Sequence, residues 1–210
     1  MTFSIVACDP RTGSWGVGVA SKYLAAGSMV PAAQADVGAL ATQAYTNASF
    51  RPLGLSALRN GRSADETLDS LLSGDSGRAA RQIGIVDGRG GSALWTGSDC
   101  SPYAGGTRGD GYAVLGNLLT GQEVIAAMAD TWTGGDPERP LAHRLREVLQ
   151  AGETAGGDRR GRQSAAILVA RRGSDYILGS DIEIDLRVDD HDFPLTELGR
   201  LLDLRYEAPP

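Results

Sequence analysis

The stretch TFSIVACDPRTGSWGVGVASK, residues 2–22, contains two apolar segments separated by a short turn. The first segment, TFSIVACD, and the last, SWGVGVASK, are rich in the β-branched and small apolar residues that are common in buried strands. Pro10 near the beginning of the turn and Gly13 at its end are typical of a tight connection. Residues 2–22 therefore predict a β-hairpin, in which antiparallel pairing brings position 2 next to the end of the second strand.

Thr2 begins this hairpin directly behind Met1, and its position allows two interpretations. Threonine is β-branched and suits a strand for that reason alone. Alternatively, removal of Met1 would place a free α-amine and a hydroxyl on one residue, which are the groups that an N-terminal nucleophile requires. Lys22, the only lysine among 20 basic residues, ends the hairpin. Burial could tune the pKa of a lysine there, whereas a surface lysine by chance is the alternative.

Composition and charge limit the classes of function. The 210 residues carry 26 acidic and 20 basic side chains, and the net charge of -6 argues against nucleic acid or an anionic membrane as a partner. No segment has the length of a membrane span or the pattern of a secretion signal, so we expect a cytoplasmic protein.

Cysteine and histidine are both rare in this sequence. Cys8 and Cys100 are too few for a disulfide scaffold, and we expect both to be free thiols. His143 and His191 are the only histidines, and no cysteine lies near a pair of them at metal-ligand spacing. The sequence therefore predicts no metal and no cofactor.

Outward from the hairpin, runs of strands alternate with pairs of helices along one expected domain, residues 1–210. Apolar segments bounded by turn residues predict further strands over 37–47, 81–87, 92–97, 111–120, 163–171, 175–179 and 182–188. Helical spacing and two capping boxes, Ser63–Glu66 and Thr120–Glu123, predict helices over 51–60, 64–73, 123–132, 141–150 and 194–206. Because strands and helices do not alternate singly, the order favours an α+β protein with two mainly antiparallel sheets between helix pairs.

Six segments together span nearly the whole chain: MTFSIVA, SWGVGVASK, VGALATQAYTN, GNLLTG, GGDRRGRQSAAILV and DLRVDDH. In this combination they resemble a bacterial family described as domain of unknown function ten-twenty-eight. The resemblance implies the four-layer αββα sandwich of the N-terminal-nucleophile (Ntn) hydrolases, which include the proteasome β-type subunits. Tyr103 and Gly106 depart from the family's pattern, in which we expect tryptophan and histidine at these positions.

The resemblance and the hairpin geometry together imply roles for particular residues. In an Ntn hydrolase the N-terminal side chain attacks a carbonyl and the α-amine relays the proton, so Thr2 is the expected nucleophile. Lys22 is expected to lower the pKa of that amine and hydroxyl. The residues expected to orient the amine are Ser21, Asp158 and Ser164. The residues expected to bind the substrate or its oxyanion are Gln43, Asn47, Asn117, Arg159 and Gln163.

Each of these residues also has a purely structural interpretation. Asp158 could pair with a neighbouring arginine, Gln43 and Asn47 could stabilise turns or caps, and Asn117 could mark a bulge. Asp189, Asp190, His191 and Asp192 follow one another, and an acidic cap of the next helix is favoured over a metal site there. Arg187 could bind a substrate carboxylate, although an internal salt bridge is favoured.

The sequence thus leads to one functional hypothesis and one alternative. We expect an Ntn-type amidohydrolase that acts on a small amide or short peptide, forms a homo-oligomer, and binds neither nucleic acid nor membranes. The alternative is a catalytically silent fold of the same type, which binds a small metabolite or serves as a subunit of a larger assembly.

Overall fold

The computed structural model describes residues 2–174 and 178–207. The strands in this part of the chain are β1 Thr2–Asp9, β2 Ser14–Ser21, β3 Pro31–Gln34, β4 Gly38–Ala44, β5 Arg81–Asp87, β6 Ser92–Thr96, β7 Gly105–Gly109, β8 Tyr112–Asn117, β9 Ser164–Arg171 and β10 Ile182–Val188. The α-helices are α1 Phe50–Arg59, α2 Ala64–Ser73, α3 Glu123–Gly134, α4 Leu141–Thr154 and α5 Pro194–Glu207.

The strands form two antiparallel sheets. The six-stranded sheet has the order β10-β9-β2-β1-β8-β7, and the four-stranded sheet has the order β3-β4-β5-β6. The predicted hairpin is confirmed: β1 pairs with β2, and Gly13 in the turn has a φ of 66°, which glycine adopts without strain. Strand β1 also pairs with β8 on its other side, so both of its edges are occupied inside the sheet.

Three clusters of buried apolar residues lie between the layers of the protein and pack them against one another. On β1, Phe3 and Ile5 pack with residues of α3, α4 and α5, while Val6 on the opposite face packs with residues of the four-stranded sheet. The outer face of the four-stranded sheet, including Ile83, packs against α1 and α2. The predicted α+β architecture is therefore confirmed, with two antiparallel sheets in the centre and helices on both outer sides.

Most predicted elements are present, and the differences have local causes. Strands β3 and β7 were not predicted, because their sequences PAAQ and GGTRG lack alternating apolar residues and are ordered by pairing with β4 and β8. The strands predicted over 37–47 and 111–120 are shorter than expected, since Ala44 and Leu118 adopt positive φ angles at their ends.

The two predicted capping boxes have different outcomes. The capping box from Ser63 to Glu66 is confirmed, because the side chain of each residue accepts a hydrogen bond from the backbone of the other. The capping box at Thr120 is wrong, since α3 begins only at Glu123 and the Thr120 amide donates to the Gly157 carbonyl instead. The strand predicted over 175–179 lies mostly outside the described residues; Leu178 and Gly179 form a turn.

No described helix combines the length and apolar character needed to cross a bilayer.

Leu149 on α4 is fully buried and fills the space that Gly18 leaves open on β2. A Cβ atom at Gly18 would lie 3.1 Å from Leu149 Cδ1, so the two residues are in close contact. We expect Leu149→Ala to lower the free energy of unfolding by about 2–5 kcal/mol, because it leaves a cavity beneath the large sheet. Urea denaturation followed by circular dichroism measures the change.

Leu204→Ala is the matched control, since Leu204 is 51% exposed on α5. We expect its free energy of unfolding to stay within about 0.5 kcal/mol of the wild type. Equal losses in the two variants would contradict this description of the core.

Candidate functional site

Four strands of the large sheet end in a row of polar residues at one edge. Thr2 lies directly opposite Ser21 on β2 and opposite Asn117 on β8, and Ser21 lies opposite Ser164 on β9. All four are buried. Because side chains alternate along a strand, Thr2 points to the same face as Val6, which is the face between the two sheets. The hairpin register thus brings together four polar residues that are far apart in the sequence.

The Thr2 side chain contacts one residue of this row directly. Its Oγ1 atom lies 3.1 Å from Ser21 Oγ, within hydrogen-bond distance. The carbonyl oxygen of Thr2 accepts a hydrogen bond of 3.2 Å from Gln43 Nε2 on the four-stranded sheet. Both sheets therefore hold Thr2 in place, one through its hydroxyl and the other through its backbone.

A buried network of amide groups lies beneath this row, between the sheets. Gln43 Nε2 and Asn117 Nδ2 both donate to Gln82 Oε1, at 2.9 and 3.0 Å. Ser4 Oγ donates to Gln43 Oε1 at 2.6 Å. Gln82 Nε2 lies within hydrogen-bond distance of Thr96 Oγ1 and of two backbone carbonyls. Each of the three buried amides thereby has at least one hydrogen-bond partner, which lowers the free-energy cost of burying it.

Thr2 also lines a cleft of about 410 Å³ that opens at this edge. The other lining residues come from the turns after β2 and β4, and they are Tyr23, Ala26, Met29, Val30, Ala44, Tyr45 and Thr46. Ala44 has a φ of 67°, and Ala25 and Leu118, beside Ala26 and Asn117, have φ angles of 53° and 52°. Non-glycine residues rarely adopt such angles, and backbone strain of this kind is common at functional sites.

The predicted contact between Lys22 and Thr2 is wrong. The Lys22 side chain is exposed, and its Nζ atom donates to the carbonyl oxygen of Arg162 at 3.0 Å. The reason is the register: Ser21, not Lys22, lies opposite Thr2, and the residue after Ser21 points to the other face of the sheet. Lys22 is therefore not placed to tune the pKa of the Thr2 hydroxyl.

Asp158 and Ser164 stabilise the turn that follows β2. Asp158 Oδ2 accepts a hydrogen bond of 2.7 Å from the backbone amide of Lys22, and Oδ1 accepts one of 2.8 Å from the amide of Arg160. Ser164 Oγ donates to the carbonyl of Tyr23 at 2.7 Å and accepts from the amide of Ala26 at 3.2 Å. Their contacts position the wall of the cleft.

None of the five predicted substrate-binding residues is among those that line the cleft: Gln43 and Asn117 belong to the buried amide network, and the other three lie in loops. Asn47 Oδ1 accepts hydrogen bonds from the amide and hydroxyl of Ser49, just before α1. Arg159 is exposed, and its amide donates to the Leu118 carbonyl. Gln163 Nε2 donates to Asp190 Oδ1 at 3.1 Å. The Asn47 contact is local to its turn, as the structural interpretation of Asn47 proposed, whereas the contacts of Arg159 and Gln163 connect loops.

The side chains of the segment before α5 make local contacts, and the acidic cap expected there stays a prediction. His191 Nδ1 accepts a hydrogen bond of 2.9 Å from the amide of Phe193, one residue before α5 begins. Arg187 forms an ion pair of 3.2 Å with Asp189, as the salt-bridge interpretation predicted. Within residues 2–174 and 178–207, no group of three or more His, Cys, Asp or Glu side chains is arranged to hold a metal ion.

The two departures from the family's pattern lie on and beside β7. A Cβ atom at Gly106 would lie only 2.4 Å from the carbonyl oxygen of Val114, so no larger residue fits this backbone. Tyr103 is partly exposed, and its backbone pairs with Leu119. Neither residue lines the Thr2 cleft.

Sequence reasoning missed Gln82 and the residues of the cleft wall, Tyr23, Met29 and Tyr45. Gln82 is one glutamine within a strand, and the alternation of its neighbours does not distinguish it from a strand residue that faces solvent. The only sequence signal is that Gln82 lies in the mostly apolar strand RQIGIVD, where a buried polar side chain requires a hydrogen-bond partner.

The fold and site define a class: α+β proteins of two antiparallel sheets, with a buried threonine at the start of the first strand facing an inter-sheet cleft. The chain belongs to the family of unknown function DUF1028, whose family model matches residues 2–198. The family predicted from the sequence is thereby confirmed.

Two solved structures are similar to this chain to different degrees. A crystal structure of a Silicibacter pomeroyi protein of the DUF1028 family is 31% identical, with a TM-score of 0.88 over 99% of this chain and 87% of that chain. Anbu (ancestral beta-subunit) from Yersinia bercovieri is 11% identical, with a TM-score of 0.38 over 99% of this chain and 98% of its own. No curated protein matches the chain.

Gln82 connects the amides on both sheets, and its loss should destabilise the protein. Gln82→Leu removes the acceptor of Asn117 Nδ2 and one acceptor of Gln43 Nε2, and it also removes the donor to two backbone carbonyls. We expect the free energy of unfolding to fall by at least about 2 kcal/mol. Urea denaturation measures it, with Gln122→Leu as the control, because Gln122 is exposed and makes no side-chain cap hydrogen bond. A Gln82→Leu protein as stable as the control would contradict the network.

Burial makes both cysteines poor nucleophiles at neutral pH. It raises the pKa of the Cys8 thiol to about 12 and also raises the pKa of Cys100. A raised pKa lowers the thiolate fraction, so we expect iodoacetamide at pH 8 to label Cys8 at least about a hundredfold more slowly than N-acetylcysteine. Peptide mass spectrometry measures the rate, and labelling in urea is the control. Rapid labelling of the folded protein would contradict the buried placement of Cys8.

Proposed function

We propose that this protein is an amide hydrolase of the N-terminal-nucleophile type, with Thr2 as its nucleophile after removal of Met1. The observation that carries the proposal is the position of the Thr2 hydroxyl, which lines the inter-sheet cleft and lies 3.1 Å from Ser21 Oγ. A hydroxyl and an α-amine on the same residue would then share one cleft, which is the arrangement that this type of catalysis needs.

The proposed reaction has two stages. The Thr2 oxygen attacks the amide carbonyl carbon while its proton passes to the α-amine, and Ser21 Oγ holds the hydroxyl in position for this transfer. The C–N bond then breaks, the leaving amine takes the proton, and an ester forms on Thr2. Water then attacks the ester carbonyl carbon and passes one proton to the α-amine, the C–O bond to Thr2 breaks, and the Thr2 oxygen takes that proton as the acid leaves. The free α-amine has an ordinary pKa of about 7.7–8.0, close to the pH at which such a base works best.

The neighbouring polar residues have supporting roles in this proposal. Gln43 uses its amide hydrogens within the protein, on the Thr2 carbonyl and on Gln82, so we assign it to positioning Thr2. Asn117 lies directly across from Thr2 and carries two N–H donors, one of which binds Gln82. We assign the other donor to the oxyanion of the tetrahedral intermediate. Asp158 and Ser164 are assigned to positioning the turn after β2.

The substrate proposed here is a small amide or a short peptide. A cleft of about 410 Å³ lies within the usual range for small-molecule sites, which is roughly 300–1,000 Å³. The homo-oligomer and the cytoplasmic location expected from the sequence stay predictions.

A catalytically silent binding protein is the second candidate. The observation in its favour is the placement of Lys22, whose ammonium binds the Arg162 carbonyl and so does not activate the Thr2 hydroxyl. Under this alternative the same cleft binds a small metabolite without turnover, and Met1 is retained in the native host.

The two candidates differ in two measurable quantities, the mass of the N-terminus and the effect of Thr2 on amide turnover. For the hydrolase, we expect intact-mass spectrometry to find Met1 removed and a panel of small amides to include a substrate. Thr2→Ala should lower kcat for that substrate by at least about a thousandfold, whereas Thr2→Ser, which keeps the hydroxyl, should retain measurable turnover.

Thr12→Ala is the matched control, because Thr12 is an exposed threonine in the turn at the opposite end of the same hairpin. Its kcat should stay within about twofold of the wild type. Retention of Met1 in the native host, or equal turnover by the wild type and Thr2→Ala, would contradict the proposed mechanism.

A further inference from the structure

We infer that the Thr2 cleft selects compounds whose acyl group is uncharged and apolar, and that it excludes acyl groups with a charged end. This inference deepens the proposed function by naming the substrate class, and its binding test does not depend on turnover. It follows from the neutral side chains that line the cleft and from the neutral network that lies beneath them.

The lining of the cleft contains no charged side chain among the residues that the structure describes. Charged residues make up 22% of the sequence, so a neutral lining at the chain's surface is informative. Two of the lining residues are exposed tyrosines: Tyr23 is 55% exposed and Tyr45 is 75% exposed. Met29 lines the same cleft. Aromatic and thioether side chains bury apolar groups well, while their edges still allow limited polar contact.

Arg81, which contacts the Tyr45 wall of the cleft, binds groups of the protein itself. Its guanidinium forms a two-point ion pair with Asp75, at 2.7 and 3.2 Å, and donates to the Tyr45 carbonyl at 2.6 Å. It also lies 5.3 Å from the centre of the Tyr45 ring. Because Asp75 already neutralises it, Arg81 supports the aromatic wall and offers no counter-charge to a bound carboxylate.

The protein beneath the cleft lining is also neutral. Below Thr2 lie the buried amides of Gln43, Gln82 and Asn117 and the hydroxyl of Ser4, which are linked by hydrogen bonds. A carboxylate or ammonium buried in the cleft would lose its hydration without gaining a partner of opposite charge from the lining. Burial of an isolated ion costs free energy, whereas an alkyl group gains free energy from the same burial.

Three anilides test the inference, each with three methylene groups between the amide carbonyl and the end group: pentanoyl, glutaryl and 4-aminobutanoyl anilide. They end in a methyl group, a carboxylate and an ammonium. Ligand-observed NMR titration of each compound into the Thr2→Ala protein measures binding with no turnover. We expect pentanoyl anilide to bind at least about tenfold more tightly than either charged compound, a difference of about 1.4 kcal/mol.

Two variants assign this preference to the cleft. Tyr45→Ala in the same protein should weaken pentanoyl anilide binding at least about fivefold, while Tyr206→Ala, which removes a partly exposed tyrosine on α5, should not change it. Thr46→Lys adds a cation to the lining and should raise the affinity for glutaryl anilide selectively.

The outcomes separate this inference from the proposed function. Equal or tighter binding of a charged anilide, or no measurable binding of pentanoyl anilide, overturns the inference. A neutral preference in Thr2→Ala combined with no hydrolysis by the wild type supports the inference and contradicts the hydrolase. Thr2-dependent hydrolysis with a charged acyl group preferred supports the hydrolase and overturns the inference.

Discussion

The antiparallel register of β1 between β2 and β8 determines where every other group of the site lies. In this register Thr2 is opposite both Ser21 and Asn117, and Ser21 is in turn opposite Ser164. A shift by one residue would turn the Thr2 side chain towards the helices and the apolar Phe3 towards the cleft. The register is strongly specified because both faces of β1 are buried. A shift by one residue would move polar side chains into the apolar cluster beneath the helices and apolar side chains next to the polar network.

The two sheets are coupled at this edge by polar contacts, although elsewhere they meet through apolar residues. Val6 and Val86 belong to the apolar cluster between the sheets. Beneath Thr2, the space between the sheets is filled instead by the hydrogen-bonded side chains of Gln43 and Gln82. A buried amide network stabilises a protein only when all its members are paired, and each of these amides has a partner on the opposite sheet or within its own. The network therefore gives the threonine a defined orientation at the cost of apolar burial.

The separation of charge from the cleft is the second organising feature. Lys22, Asp158 and Arg160 interact around the turn after β2, and Arg81 pairs with Asp75 behind Tyr45. The cleft itself is left with aromatic, aliphatic and hydroxyl groups. Such a surface can bind neutral ligands through the burial of apolar groups and through hydrogen bonds. The same charges stabilise the strand ends that form the cleft.

The sequence by itself determined most of the strands, the helices α1 to α5, the layered architecture and the nearness of Thr2 to the end of β2, because these depend on local periodicity, turns and one hairpin. It also identified Ser21, Ser164 and Asn117, which the structure brings into one row. It could not determine that Ser21 rather than Lys22 faces Thr2, since a register differing by one residue leaves the local pattern unchanged. Only the tertiary structure decided that, together with the partners of Gln82 and the neutral cleft wall, because these contacts join residues from both sheets that are distant in the chain.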